Sequence, residues 1–266
     1  MPRVEVNDIQ TYYEVHGEGF PVVMIQGLSA NTSWWDPRWI QTLSERFKVV
    51  AFDNRGAGRT DISEKEYSVR LFADDTAALM DALGIPEAHV LGISMGGMIA
   101  QELALNHPGK VEKLVLCSTY CGGERSVYPS DEVTQMLMSD KESLSVEEVA
   151  RMTIPFIITE KFLKNNPGVE KFVLQQITRT PISPEAFARQ LNAIMNFDSG
   201  DRLPYIKAPT LILHGKKDIL VPPENAPILN KAIPGSRLVY FENSAHVLLE
   251  QTEEVLAAIL DFLTQS

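Results

Sequence analysis

Cysteine is scarce: the chain has two, Cys117 and Cys121, in 266 residues. Two thiols build no disulfide framework and cannot form a metal cluster alone, and nothing else in the sequence points to a metal or cofactor. Cys117 lies in an apolar run and reads as a core residue, with Cys121 just beyond it. Basic charge is also short, with 24 lysines and arginines against 35 acidic residues and a formal net charge of −11. Nucleic-acid binding needs a basic face and anionic membranes recruit basic segments, so neither partner is expected. No run approaches the ~20 apolar residues of a membrane span. The start, Met1-Pro2-Arg3-Val4-Glu5-Val6, lacks an apolar signal region, and a cytoplasmic location is expected. Internal repeats and low-complexity segments are absent as well.

What is present suits one large domain, or one domain with an insertion. Hydrophobic residues make up 44% and charged residues 22%, an ordinary globular balance. Val4–Val6 and Ile9–Val15 alternate around Asn7-Asp8 as a hairpin would. Val22–Ile25, Lys48–Phe52, His89–Ile93, Val111–Cys117, Thr210–His214 and Arg237–Phe241 read as strands, most of them buried. Helical patterns fall between them, one opened by Ser68 as N-cap and closed by Gly84 and Pro86. Strands alternating with helices imply a mostly parallel sheet covered on both faces.

The pattern changes between residues 122 and 203. Strand signals vanish, amphipathic helical stretches are punctuated by Pro129, Pro155, Pro167, Pro181 and Pro184, and Phe156, Phe162, Phe172, Phe187 and Phe197 supply apolar anchors. The expected division is a core of residues 1–121 and 204–266 with an inserted helical cap at 122–203.

The strand at His89–Ile93 runs straight into Ser94, and a helical stretch follows. Gly92-Ile93-Ser94-Met95-Gly96 is therefore a Gly-x-Ser-x-Gly motif at a strand-to-helix turn. Residues two before and two after the serine crowd each other, so both must be small. The helix N-terminus leaves free N–H groups near the serine, making the Met95 amide an oxyanion donor. Taken alone the motif could be a glycine-rich turn. An acid and a histidine in the right order strengthen it: Asp218 follows the Thr210–His214 strand, and His246 follows the last strand.

Serine needs a base to take its proton, and histidine does so near neutral pH. A buried carboxylate fixes the imidazole tautomer, a role suited to Asp218, although Asp218 could be a turn residue after Lys216-Lys217. Glu242 is a rival acid too close to His246 along the chain. The second oxyanion donor is assigned to the Leu28 amide, in the loop after Val22–Ile25. Trp34, Trp35 and Phe156 are expected in the substrate pocket. His16, His89, His107 and His214 read as structural, and Asp53 with Arg55 as an ion pair holding a turn.

Gly92–Gly97, Asp53–Thr60, Leu213–Asp218 and His246 before Glu250-Gln251 together resemble the α/β-hydrolase superfamily over essentially the whole length. The closest likeness is to its carboxylesterase, enol-lactonase and cofactor-free haloperoxidase branch. That resemblance implies an eight-stranded sheet with an antiparallel second strand and a helical cap over the pocket. Many members begin the oxyanion loop with His-Gly, where this chain has Gln26-Gly27. Serine at position 94 counts against dehalogenases and epoxide hydrolases, whose relatives use a carboxylate there. The expected activity is hydrolysis of small to medium carboxylic esters through an acyl-enzyme, without cofactor. Enol-lactone, thioester or C–C hydrolysis, perhydrolysis, or a small-molecule receptor on the same scaffold are the alternatives.

Overall fold

The computed structural model describes residues 2–139 and 143–265. Its sheet comprises β1 (Arg3–Val6), β2 (Ile9–His16), β3 (Pro21–Ile25), β4 (Lys48–Phe52), β5 (Ala88–Ile93), β6 (Val111–Cys117), β7 (Thr210–Gly215) and β8 (Arg237–Phe241). Their order is β1-β2-β4-β3-β5-β6-β7-β8. β2 runs antiparallel to both its neighbours, and the other pairs are parallel. Every residue of β5 and β7 is buried, the mark of strands covered on both faces.

The helices in chain order are α1 (Pro37–Ser44), α2 (Val69–Ala82), α3 (Met95–Asn106), α4 (Asp131–Met138), α5 (Val146–Ile157), α6 (Glu160–Asn165), α7 (Pro167–Arg179), α8 (Pro184–Met195), α9 (Asn225–Ala232) and α10 (Thr252–Thr264). Strand side chains alternate between faces, so Val23 and Ile25 join one core while Val22 and Met24 join the other. The first core takes Phe72 and Met80 of α2, Ile99 and Leu103 of α3 and Leu229 of α9. The second takes Trp39 and Leu43 of α1 with Val255, Ile259 and Phe262 of α10. Ser68 caps α2, accepting from the Leu71 amide at 3.1 Å.

Helices α4 to α8 lie between β6 and β7. Serine or threonine side chains cap α4, α5, α6 and α8, with a full capping box at α5 between Ser145 and Glu148. Two expectations need correction here. Pro155 does not break a helix but sits inside α5, while Pro167 and Pro184 occupy helix starts, where a missing N–H costs nothing. Phe197 anchors no cap; it is buried in the main core beside Leu203 and Ile206.

The Asp53–Arg55 pair is also absent. The Arg55 guanidinium is buried and meets Asp75 at 2.8 Å and Asp8 at 2.9 Å. Its five donors need more than one carboxylate, and Asp75 and Asp8 come from α2 and the β1–β2 turn. Asp53 instead accepts the Thr32 amide at 2.7 Å and the Arg59 amide at 2.8 Å.

Candidate active site

Ser94 ends β5 and caps α3 with φ 57° and ψ −123°, a conformation an L-residue holds only under constraint. The constraint is visible: its N–H donates to Cys117 O at 2.9 Å, and its carbonyl accepts the Gly97 amide at 2.9 Å and Thr119 Oγ1 at 2.8 Å. A Cβ on Gly92 would strike the Gly96 carbonyl, and one on Gly96 the Ile25 carbonyl. A Cβ on Gly97 would lie 2.6 Å from Thr119 Cβ. Glycine at these positions lets α3 approach the sheet closely enough to raise the serine.

Asp218 is fully buried in the loop after β7 and accepts three N–H groups, while His214 Nε2, bonded to Val221 O at 2.9 Å, lies close by. Oδ1 takes the Leu220 and Val221 amides at 2.9 Å each. Oδ2 meets His246 Nδ1 at 2.8 Å and His214 Nε2 at 3.4 Å. Burial alone would raise its pKa, but the charge of His246 and the contacts with His214 and His246 outweigh it and hold the carboxyl below its ordinary value. Glu242 points elsewhere, paired with Lys216 at 2.6 Å. The loops after β7 and β8 are laced together by Lys216 N–H to Phe241 O and Lys217 N–H to Ser244 O, both 2.9 Å.

Ser94 and His246 open into one cavity of about 750 Å³ beneath α4, α5, α7 and α8. Trp34, Phe156, Ile177, Phe187, Leu191 and Met195 supply much of its wall. Its described lining residues carry no Asp, Glu, Lys or Arg, and Gln26, Ser29, Thr153 and Asn192 are among its few polar groups. Trp35 is not in the wall. Its ring stacks 5.7 Å from Trp39 in the core under α1, because consecutive residues leaving a short helical turn point to different sides.

Gln26, Gly27, Leu28 and Ser29 border the cavity beside Ser94. A Cβ on Gly27 would sit 3.0 Å from Ser94 Cβ, so this backbone runs directly alongside the serine. The Ala30 amide donates to Gly27 O at 3.3 Å, forming a turn with Leu28 and Ser29 at its corners. Neither the Leu28 nor the Met95 amide donates to a backbone acceptor among the described residues. Burial pushes both thiols, Cys117 and Cys121, upward, so they stay protonated.

Three side chains at the site make contacts that a sequence reading does not give. His214 touches Asp218 from four residues away. Glu250 accepts the Thr159 amide at 2.8 Å and the Ala245 amide at 3.2 Å, tying the histidine loop to the start of α6. Gln190 of α8 accepts the Ser29 amide at 2.9 Å and donates to Arg55 O at 3.0 Å. Only the amphipathic spacing of α8 hints that Gln190 faces inward.

A mostly parallel eight-stranded sheet with a serine raised on the turn after its fifth strand is the architecture of the α/β hydrolases. The chain belongs to the alpha/beta hydrolase fold family, whose model matches residues 21–252, and it is a hydrolase. It is 28% identical over 261 residues to a relative from Azorhizobium caulinodans assigned as the carbamate hydrolase RutD, covering 98% of this chain and 97% of that one. The enol-lactonase of Burkholderia xenovorans superposes with TM-score 0.87 at 27% identity, over 99% of this chain and 100% of that one. A thermophilic esterase from Thermogutta terrifontis gives TM-score 0.85 at 28% identity, over 99% and 98%. Among the described residues no helix is long and apolar enough to cross a membrane.

Proposed function

We propose that the protein is a serine hydrolase that cleaves carboxylic esters with small to medium, uncharged acyl groups. The observation that carries this reading is the convergence of Ser94 and His246 on one apolar cavity, with His246 Nδ1 held 2.8 Å from buried Asp218. Nδ1 donates to the carboxylate, which leaves Nε2 free to accept the serine proton. Ser94 Oγ then attacks the ester carbonyl. The Leu28 and Met95 amides take the developing oxyanion, a task that suits donors with no competing backbone acceptor. His246 passes the proton to the departing alkoxide, leaving acyl-Ser94 and free alcohol. Water, deprotonated by His246, attacks the acyl carbon, and Ser94 Oγ leaves with that proton as the acid is released.

The walls favour an uncharged substrate, because a carboxylate buried there would lack a counter-ion among the described lining residues. The helices α4 to α8 act as the cap that excludes water from the cavity. The esterase and enol-lactonase likenesses agree with attack at an acyl carbon. The carbamate hydrolase likeness also names a substrate with a carbonyl carbon open to attack.

The test is hydrolysis of p-nitrophenyl esters from acetate to decanoate by wild type and Ser94→Ala. Wild-type turnover of a few per second or more, with Ser94→Ala reduced by roughly 10⁴-fold or more, is the expected result. A wild type inert on every ester would falsify the ester reading.

A further inference from the structure

We infer that Gln190, on helix α8, is a positioning residue for the oxyanion loop, so that the catalytic site is complete only while α8 is docked. This rests on the ester-hydrolase reading above. Ser29 has φ +64°, in the left-handed region that a non-glycine residue holds only under constraint. It sits at the third position of the Gly27–Ala30 turn, where such turns ordinarily call for glycine. Its amide points away from the turn's own hydrogen bond and into the Gln190 carboxamide at 2.9 Å.

Gln190 is 0% exposed. Its other end donates to Arg55 O at 3.0 Å, within the turn whose Asn54 Nδ2 holds Gln26 O at 2.9 Å. One carboxamide thus braces the oxyanion loop against both α8 and the core. The loop is tied a second time by Asn31 Nδ2, which donates to Thr180 O at 3.1 Å. The chemistry fits glutamine, since one end must accept and the other donate, and no charge is wanted there. Without this clamp Ser29 is free to leave positive φ. That rotation turns the adjoining peptides and carries the Leu28 N–H off the carbonyl oxygen as it becomes an oxyanion. Leu191 and Asn192, next to Gln190 on α8, line the cavity, so substrate contact and oxyanion geometry share one helix.

The test is a double-mutant cycle of Gln190→Ala and Ser29→Gly. It reads kcat and KM for an ester beside the rate at which a fluorophosphonate labels Ser94, fluoride leaving as Oγ bonds phosphorus and the serine proton passes to His246. Gln190→Ala alone is expected to lower kcat and labelling roughly ten- to hundredfold, with KM changed by less than about twofold. Glycine adopts positive φ without a clamp, so in the Ser29→Gly background the same substitution should cost much less. Gln190→Met, which keeps the volume, replaces the alanine variant should that one fail to fold. Equal losses in both backgrounds, or a rise in KM with kcat unchanged, overturn the inference while leaving the ester reading intact. A wild type inert to both ester and fluorophosphonate overturns the two together.

Discussion

Ser94, Asp218 and His246 are separated along the chain, yet each stands at the C-terminal end of a strand, where an open parallel sheet gathers functional groups. At this scale the carboxylate is the sharpest point of test. Asp218→Asn keeps the shape but favours the wrong imidazole tautomer, and kcat should fall by about 10⁴-fold. Glu242→Gln should leave kcat within about twofold, because Glu242 pairs with Lys216 outside the site. Ester kinetics on the two variants distinguish the acids; equal losses would contradict the assignment.

The motif residues were legible for a physical reason: Gly92, Ser94 and Gly96 are fixed by local crowding at one turn, and local crowding is written in local sequence. Trp35 shows the limit. Adjacent tryptophans share composition and hydropathy, and only the turn geometry sends Trp34 to the cavity and Trp35 to the core.

Among elements, strands were readable because apolar runs bounded by turn residues leave little alternative for buried parallel strands. Partners far apart in sequence were not. Arg55 belongs with Asp75 and Asp8 rather than nearby Asp53, and proximity in sequence misled because a buried guanidinium recruits whichever carboxylates the fold delivers. Pro155 misled in the same way, since packing of α5 against α7 outweighs the loss of one helical hydrogen bond. The buried Arg55 cluster joins the β1–β2 turn, the turn after β4 and helix α2. Asp75→Asn removes one of the two carboxylates facing a fully buried guanidinium while Asp8 stays in place, and should destabilise the protein by about 1.5–3 kcal/mol. Urea unfolding would show this as a lower midpoint at unchanged slope; a shift under about 0.5 kcal/mol would mean that the cluster is dispensable.

For the whole molecule, acid is the expected weakness. His89 is buried between the rings of Phe20 and Phe47, and burial together with Lys113 lowers its pKa from 6.5 to about 4. Between those values the unfolded chain binds a proton that the folded one refuses. Stability is therefore full above pH 6.5 and is lost as pH falls toward 4, by on the order of 3 kcal/mol. Asp8, held well below the ordinary carboxylate range by the Arg55 guanidinium against the opposing cost of burial, acts in the same direction at lower pH. Its stabilisation is present above its unfolded value of 3.8 and disappears as pH falls through the folded one. Thermal melts from pH 7 to pH 4 should slope downward, and His89→Gln should flatten that slope. A parallel slope in the variant would show that another group governs it.

The central claim is that hydrolysis passes through an ester of Ser94. The most direct measurement is acid quenching during turnover of a p-nitrophenyl ester, followed by mass spectrometry of the peptide that carries Ser94. The expected result is one acyl group on Ser94, formed with a matching burst of p-nitrophenolate and absent from Ser94→Ala. Steady turnover with Ser94 unmodified at every quench time, and no burst, would contradict it.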